Sequence, residues 1–294
     1  MRFASNLLVT AALLSAGFAP VEAARIFEPD QQTLLKGVEP SVPSAGGCTW
    51  PTTATLAVFD ASDLTTLFTD VAGTTNVTAD GDPVGRWVDK NGSGYYIAAA
   101  ADNTTRPTYH TSGGLEWVEF DRSNDILYRQ VALGVYSSVT STAALAIQHT
   151  AAGQGSIYAE MRSDNGTPKY TPSRNNSADF NDAMFTYTND AGTPVVVNVD
   201  YYNEAYGANT DISFIVTDSG STLTGYLDGA NGGAPISYTR STYTPDTFSI
   251  GGRRATSASD FFGGRVYYAR FYSDVKAGAD LTMIDTCLKA TQGR

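Results

Sequence analysis

Carboxylates occur as close pairs along the chain, and these pairs are the residues best suited to binding a cation. The candidate ligands are Asp60 with Asp63 and Asp80 with Asp82, followed by Asp121 with Asp125. Oxygen ligands on loops suit Ca²⁺, so the first two pairs predict a calcium site. No spacing matches a defined calcium-binding loop, and short acidic turns commonly serve only as turn formers, so that interpretation stays open.

Tyrosine side chains are the second candidate for chemistry, since each combines an apolar face with a polar tip that suits sugars or protein partners. The predicted ligand-binding residues are Tyr187, Tyr201, Tyr202 and Tyr206, and the pair Tyr267 and Tyr268 offers two further rings. Tyrosine is also a favoured strand residue. Packing is therefore the alternative at every one of these positions.

Catalytic carboxylates are not evident in the sequence. A retaining glycosidase needs two carboxyl groups about 5–5.5 Å apart, whereas Glu160 and Asp164 would lie about 13 Å apart along a strand. Glu160 and Arg162 share a strand face, which predicts a solvated cross-strand ion pair. His110 and His149 are isolated and are interpreted as structural.

Other activities are excluded by missing motifs and by charge. The chain has no phosphate-binding glycine loop, no H-E-x-x-H and no nucleophile elbow. Its net charge is −11, and basic residues are scattered apart from Arg253-Arg254, which argues against nucleic acid. We therefore predict a protein that is not an enzyme and does not bind nucleic acid.

The elements that must position these residues are predicted to be short strands. From Thr65 to Pro107 the chain alternates turn signals such as Lys90-Asn91-Gly92 with short alternating segments such as Val84 to Asp89. Similar strands continue to Gly264–Tyr272, and only Asp280 to Ala290 has helical spacing. The pattern predicts one all-β domain over residues 51–294, with a short C-terminal helix.

The N-terminal segment has a different character. Residues 1–23 combine Arg2, an apolar run and small residues at Val21-Glu22-Ala23, which predicts a secretory signal peptide; an uncleaved apolar arm is the alternative. The run is shorter than the about 20 residues of a membrane span, so no transmembrane segment is predicted. Residues 24–50 are rich in Pro and Gly and are interpreted as a linker or extended arm.

Two cysteines bracket the predicted domain. Cys48 precedes it and Cys287 lies in the terminal helix. In an exported protein such a pair most simply forms a disulfide bond, with two unpaired thiols as the alternative. Neither has a neighbouring histidine, which argues against a zinc site or a nucleophile.

Several segments resemble laminin-G-like domains of the concanavalin A-like lectin/glucanase superfamily. They include Trp87-Val88-Asp89-Lys90-Asn91-Gly92-Ser93-Gly94, Val118 to Leu127, Leu223 to Gly229 and Phe262 to Tyr272. Arg122 stands where that family usually has glycine. The resemblance spans roughly Ala54 to Ala290 and implies a jelly roll of two curved antiparallel sheets, closed by a terminal helix.

The enzymes of that superfamily provide a weaker match. Its glucanases carry an E-x-D-x-x-E strand, which this chain lacks. The strand Leu145 to His149 is similar to the Q-I-H strand of one alginate lyase family, but Arg162 follows the histidine where that family has its arginine strand earlier.

A narrower resemblance links Thr66 to Gly85 with versions of this domain in phage virion proteins. The main hypothesis is a non-catalytic recognition or adhesion module that binds a glycan or a protein partner, secreted to an extracellular or periplasmic location or displayed on a virion. A phage decoration or fibre protein is one alternative, and a polysaccharide hydrolase or lyase is the other.

Overall fold

A computed structural model describes residues 48–100, 105–150, 155–164, 169–174, 182–188, 194–200, 209–232, 234–240, 244–254 and 257–294. For 169–174, 182–188 and 194–200 it describes the backbone only. All of these residues belong to one compact unit, Val42–Arg294.

The described residues form strands throughout, with one α-helix at the end. In chain order the strands are β1 (Thr55–Asp60), β2 (Leu67–Phe68), β3 (Arg86–Val88), β4 (Tyr96–Ala98), β5 (Thr108–Ser112), β6 (Leu115–Asp121), β7 (Leu127–Arg129), β8 (Ser141–His149), β9 (Gly155–Ser156), β10 (Tyr158–Met161), β11 (Lys169–Arg174), β12 (Asp182–Thr188), β13 (Pro194–Asp200), β14 (Asp211–Asp218), β15 (Thr222–Leu227), β16 (Ala230–Asn231), β17 (Ile236–Ser237), β18 (Thr247–Ile250), β19 (Arg253–Arg254), β20 (Ala258–Ser259) and β21 (Gly263–Tyr272). The helix is α1 (Ala279–Thr291), and Leu64–Thr66 form one 3-10 turn.

Two large antiparallel sheets contain nearly all of these strands. Sheet A has the order β16-β15-β14-β8-β21-β6-β5, with β1 beside β21 and β17 beside β15. Sheet B has the order β13-β12-β11-β10-β18-β7-β4-β3-β2, with β9 beside β11. The strands β19 and β20 pair only with each other. The predicted all-β jelly-roll sandwich with a C-terminal helix is confirmed.

The core lies between the two sheets. Phe59 and Phe271 of sheet A meet Trp87 and Phe248 of sheet B, with ring centroids 5.7 Å apart for Phe59–Trp87 and 5.2 Å apart for Phe248–Phe271. Burial of such rings contributes most of the stabilisation of a sandwich.

A second apolar cluster lies on the outer face of sheet A, where α1 packs. Ile284 and Leu288 of the helix are fully buried against Tyr268, Tyr272 and other side chains of this face. Sheet A is therefore covered on both faces, and for this reason eight of the nine residues of β8 are buried. No helix in the described part of the chain is long and apolar enough to cross a membrane.

The disulfide bond joins Cys48 to Cys287, as the sequence favours. It ties the segment before β1 to α1 across a sequence separation of 239 residues. As a result Trp50, which the sequence places in a linker, packs on the outer cluster of sheet A.

Candidate functional site

A groove opens on the outer face of sheet A because β21 changes its neighbour halfway along. Gly263 to Val266 pair with β6, whereas Tyr268 to Tyr272 pair with β1. Tyr267, between the two halves, lies at a register shift in the pairing with β8. Such bulges commonly occur at functional sites, where they redirect side chains. The end of β1 and the start of β6 are thus separated on the same side of β21.

The groove encloses about 700 Å³, a volume typical of small-ligand sites. Tyr267 and Tyr268 contribute to its lining from β21. The other lining residues include Trp50, Asp60, Lys90, Leu115, Glu116 and Arg270, together with Ala290 and Thr291 at the end of α1. Five separate segments of the chain therefore build the groove.

An aromatic pair forms the apolar part of the groove. The indole of Trp50 stacks on Tyr268 with a centroid distance of 4.5 Å and an interplanar angle of 11°. The Arg270 guanidinium lies 5.4 Å from the centre of the Trp50 ring. Trp50 stays half-buried whereas Tyr268 is buried, so the indole presents apolar surface in a fixed orientation.

Charged groups form the opposite side of the groove. Asp60 is buried and accepts hydrogen bonds from Lys90 Nζ at 2.8 Å and from the Ser62 hydroxyl at 2.7 Å. Lys90 also contacts Asp63 at 3.3 Å. Partial burial lowers the pKa of Lys90, but the bonds and charges of the two aspartates outweigh it, so the pKa is raised and the ammonium is retained.

Glu116 is the second carboxylate of the groove. Its pKa is raised above the usual value, first by partial burial and then by the negative charge of Asp60. Asp60 is paired with Lys90, so the two carboxylates of one groove have different environments. Their proximity depends on β1 and β6 both pairing with β21, an arrangement that the sequence did not indicate.

The predicted calcium ligands do not form a common site in the structure. The Lys90 ammonium lies between Asp60 and Asp63, where a cation would have to bind. Asp80 instead pairs with His110 at 3.0 Å, and Asp82 accepts the backbone N–H groups of two turn residues. Among the described residues, no group of three or more His, Cys, Asp or Glu side chains is placed to hold a metal.

The predicted tyrosine site lies mostly beyond what the structure describes. Tyr201, Tyr202 and Tyr206 fall outside the described residues, and Tyr187 is described only as a backbone position on β12, opposite Tyr170 and Val195. The site stays a prediction. Tyr267 and Tyr268, in contrast, do line the groove.

The predicted solvated pair of Glu160 and Arg162 is wrong. Glu160 is fully buried, and its carboxylate accepts the N–H groups of Gly134, at 2.6 Å, and of Tyr136. Burial raises its pKa against the effect of these bonds. Arg162 pairs with Asp164 instead. Because the segment around Gly134 wraps the carboxylate from a distance in sequence, strand periodicity could not indicate this burial.

The sequence did contain a signal for Trp50. A bond between Cys48 and Cys287 must bring the residues next to Cys48 onto the terminal helix, and Trp50 is only two positions away. Lys90 and Glu116 carried no comparable signal, because they approach Asp60 only through the tertiary packing of segments that are remote in sequence.

Comparisons with protein-family models and with curated proteins found no match. Solved structures with similar folds include the Ruminococcus gnavus IT-sialidase CBM40 bound to alpha2,3 sialyllactose, with 14% identity and a TM-score of 0.41 over 50% of this chain and 82% of that one. A Trypanosoma rangeli sialidase complex has 15% identity and a TM-score of 0.49 over 85% of this chain and 35% of that one. The binding domain of Botulinum neurotoxin DC in complex with rat synaptotagmin II has 10% identity and a TM-score of 0.48 over 80% of this chain and 52% of that one. Similarity at this level carries no argument about function.

Proposed function

We propose that the protein is a non-catalytic binding module that recognises a glycan in the groove of sheet A. The observation that carries this proposal is the half-buried Trp50, stacked on Tyr268 and facing a groove that also contains Asp60, Lys90 and Glu116. A sugar ring has an apolar C–H face and a rim of hydroxyl groups. The groove offers a matching aromatic surface with charged hydrogen-bonding groups beside it.

The groove is also preorganised for a rigid ligand. The ring of Trp50 is held by Tyr268, and its backbone lies two residues from the disulfide bond. Asp60 is fixed by Ser62 and Lys90. Groups that are already ordered lose little entropy on binding, which favours recognition over a site that must fold around its ligand.

A protein partner is the other occupant to consider. Stable protein interfaces involve about 20–30 residues on each partner, whereas sixteen residues line this groove. We therefore favour a glycan, and binding of a protein with no glycan would contradict the proposal.

The test is a glycan-array screen of the disulfide-bonded protein, followed by calorimetry with the best ligand. Trp50→Ala is expected to weaken binding about tenfold, because one aromatic contact contributes about 0.5–1.5 kcal/mol beyond the apolar area it buries and about 1.4 kcal/mol corresponds to a factor of ten. Lys90→Gln should weaken binding and leave the outer apolar cluster intact. Tyr226→Ala removes a half-buried ring from the same face but outside this groove, so it is the matched control.

An equal loss of glycan affinity in Tyr226→Ala would place the glycan elsewhere. Unchanged affinity in both Trp50→Ala and Lys90→Gln would do the same. A melting temperature recorded for each variant separates lost binding from lost folding. Lys90→Gln keeps the test decisive if Trp50→Ala does not fold.

A polysaccharide hydrolase is the second candidate, because Glu116 has a raised pKa beside Asp60. Two carboxylates with different environments are typical of an acid and its partner. Incubation with a polysaccharide panel should yield no new reducing ends if the module is non-catalytic. Reducing ends formed by the wild type but not by Glu116→Gln would establish the hydrolase instead.

Export is part of the same proposal, and the disulfide bond supports it because such bonds persist in oxidising compartments. Residues 1–23 would then be a signal peptide. Intact mass of the natural protein tests this, since a chain that retains Met1 would favour the apolar arm of a virion protein.

A further inference from the structure

Three arginines gather around two tyrosines at the outer face of sheet B. Arg86 lies on β3, Arg129 on β7 and Arg254 on β19. Tyr96 and Tyr128 belong to the outer face, because their chain neighbours Ile97 and Leu127 point into the core. Arg129 is opposite Phe248 of the core, so its backbone position faces inward, and only its guanidinium reaches the ring of Tyr96. We call these five residues the arginine–tyrosine face.

The charges of this face are uncompensated. None of its three arginines has a carboxylate within ion-pair distance among the residues that the structure describes. Five other arginines do have such partners, namely Arg162, Arg240, Arg253, Arg265 and Arg294. Arg106, Arg122 and Arg270 also have no ion pair among the described residues, but they do not lie together. In a chain of net charge −11 acidic partners are abundant. Three neighbouring guanidinium groups without a carboxylate partner among the described residues offer positive charge to an external anion.

Aromatic stacking orients the guanidinium groups. Arg86 lies 3.6 Å from the ring centre of Tyr96, and Arg129 lies 4.5 Å from the same centre. Arg254 lies 4.8 Å from the centre of Tyr128. A stacked guanidinium keeps N–H groups at its edge for bidentate bonds to a carboxylate or sulfate.

A tight turn further positions Arg86. Its Nη1 donates to the Ala72 carbonyl at 2.8 Å, and a Cβ on Gly73 would lie 2.9 Å from its Cδ. Gly73 also has φ 75°, which favours glycine. The Asp70 carboxylate holds the turn by accepting the Thr74 and Thr75 N–H groups. The arginine is thus preorganised without a bound ligand.

The face extends in a row across neighbouring strands. Arg86 is opposite Ala98, which is opposite Tyr128, which is opposite Ser249. With strands about 4.8 Å apart, Arg86 and Tyr128 are about 10 Å apart at the backbone. Rings and cations repeated on this scale suit a chain of sugar units that carry regularly spaced negative charges.

We propose that the arginine–tyrosine face binds an acidic polysaccharide, whose sugar units carry carboxylate or sulfate groups. The tyrosine rings orient the guanidinium groups, and the arginines supply charge-assisted hydrogen bonds to the carboxylate or sulfate groups of the polysaccharide. A nucleic acid is the less favoured polyanion, because its dense phosphates would be repelled by the rest of a protein with net charge −11. This site lies on the opposite sheet from the groove and does not depend on it.

The experiment titrates the full-length, disulfide-bonded protein with polygalacturonate, dextran sulfate, neutral dextran and single-stranded DNA at physiological salt. Binding of either acidic polysaccharide without binding of neutral dextran is expected. Polygalacturonate and dextran sulfate distinguish a carboxylate from a sulfate ligand. No binding of either one, or tighter binding of DNA, would overturn the proposal.

Two matched variants locate the site. Arg254→Gln and Arg265→Gln each remove one positive charge and one stacking contact, with Tyr128 at 4.8 Å and with Trp117 at 4.4 Å respectively. Arg254→Gln should weaken binding about tenfold, and Arg265→Gln, on sheet A, should not. Arg129→Gln is a second variant in the face. Equal effects of Arg254→Gln and Arg265→Gln would show a non-specific charge effect and overturn the site.

Discussion

At the residue scale, the backbone conformation of Arg122 explains why the family that the sequence resembles usually has glycine at this position. Its φ is 67°, in the left-handed region where glycine is favoured, and its N–H donates to the Phe262 carbonyl at 3.1 Å. The family's glycine therefore corresponds to a backbone requirement that this chain meets with a strained residue.

Arg122→Gly is expected to stabilise the protein by about 0.5–1 kcal/mol, because relief of the left-handed strain exceeds the added entropy of the unfolded chain. Chemical denaturation measures the change. Arg122→Ala removes the same side chain but keeps Cβ, so it should give no such gain. A similar gain in both variants would attribute the effect to the lost charge.

Asp125 is the residue whose titration should be visible in stability. Burial is the main reason that its pKa is raised to about 7, and the neighbouring charge of Asp121 acts in the same direction. A hydrogen bond donated by the backbone N–H of Asp121 opposes this increase. Between pH 4 and pH 7 the folded state then binds a proton that the unfolded state has lost. The contribution of Asp125 to stability is therefore full below pH 4 and declines as pH rises to about 7.

Asp125→Asn should remove this decline, whose slope is at most about 1.4 kcal/mol per pH unit. Unfolding free energies at several pH values compare it with wild type and with Asp164→Asn, an exposed carboxylate. Glu116, Glu160 and Asp218 also have raised pKa values, so the difference between the curves is the measurement. Parallel curves for Asp125→Asn and wild type would contradict the assignment.

At the element scale, α1 and the disulfide bond act together on the outer face of sheet A. The helix buries Ile284 and Leu288, and the bond holds Trp50 beside it. In Cys48→Ser/Cys287→Ser the helix contacts remain, but a closed loop of more than two hundred residues is lost. We expect a loss of about 2–5 kcal/mol in unfolding free energy.

Denaturation of the double variant and of the reduced wild type should give the same midpoint. A loss below about 1 kcal/mol would show that the bond adds little beyond helix packing. Weaker glycan binding at temperatures where the variant is fully folded would show that the bond also orders the groove.

At the scale of the whole molecule, the two ends of the chain complete one sheet. β1 pairs with β21 from Thr55↔Tyr272 to Asp60↔Tyr268, so folding must close a loop of most of the domain. Such non-local pairing slows folding. The disulfide bond lies just outside this pair and shortens the search.

Refolding with the bond intact is therefore expected to be several-fold faster than refolding of Cys48→Ser/Cys287→Ser, as measured by stopped-flow fluorescence. The reason is that loop-closure entropy is already reduced in the unfolded chain. Equal refolding rates with faster unfolding of the variant would show that β1 joins β21 after the rate-limiting step.

Local sequence was sufficient for most of the architecture. Alternation and turn residues predicted β21 within one residue, and helical spacing predicted α1 within one residue at each end. The position of two cysteines was enough to predict their bond. These features succeed because strand and helix periods, and turn preferences, are properties of neighbouring residues.

The tertiary structure alone decided what each side chain faces across the fold. Glu160 is buried because a remote segment supplies its hydrogen bonds, and Asp60 forms an ion pair with Lys90. The groove exists because β21 pairs first with β6 and then with β1, strands that are close only in the folded sheet. A period along the chain indicates which side chains share a face, but the segment that covers that face comes from non-local packing.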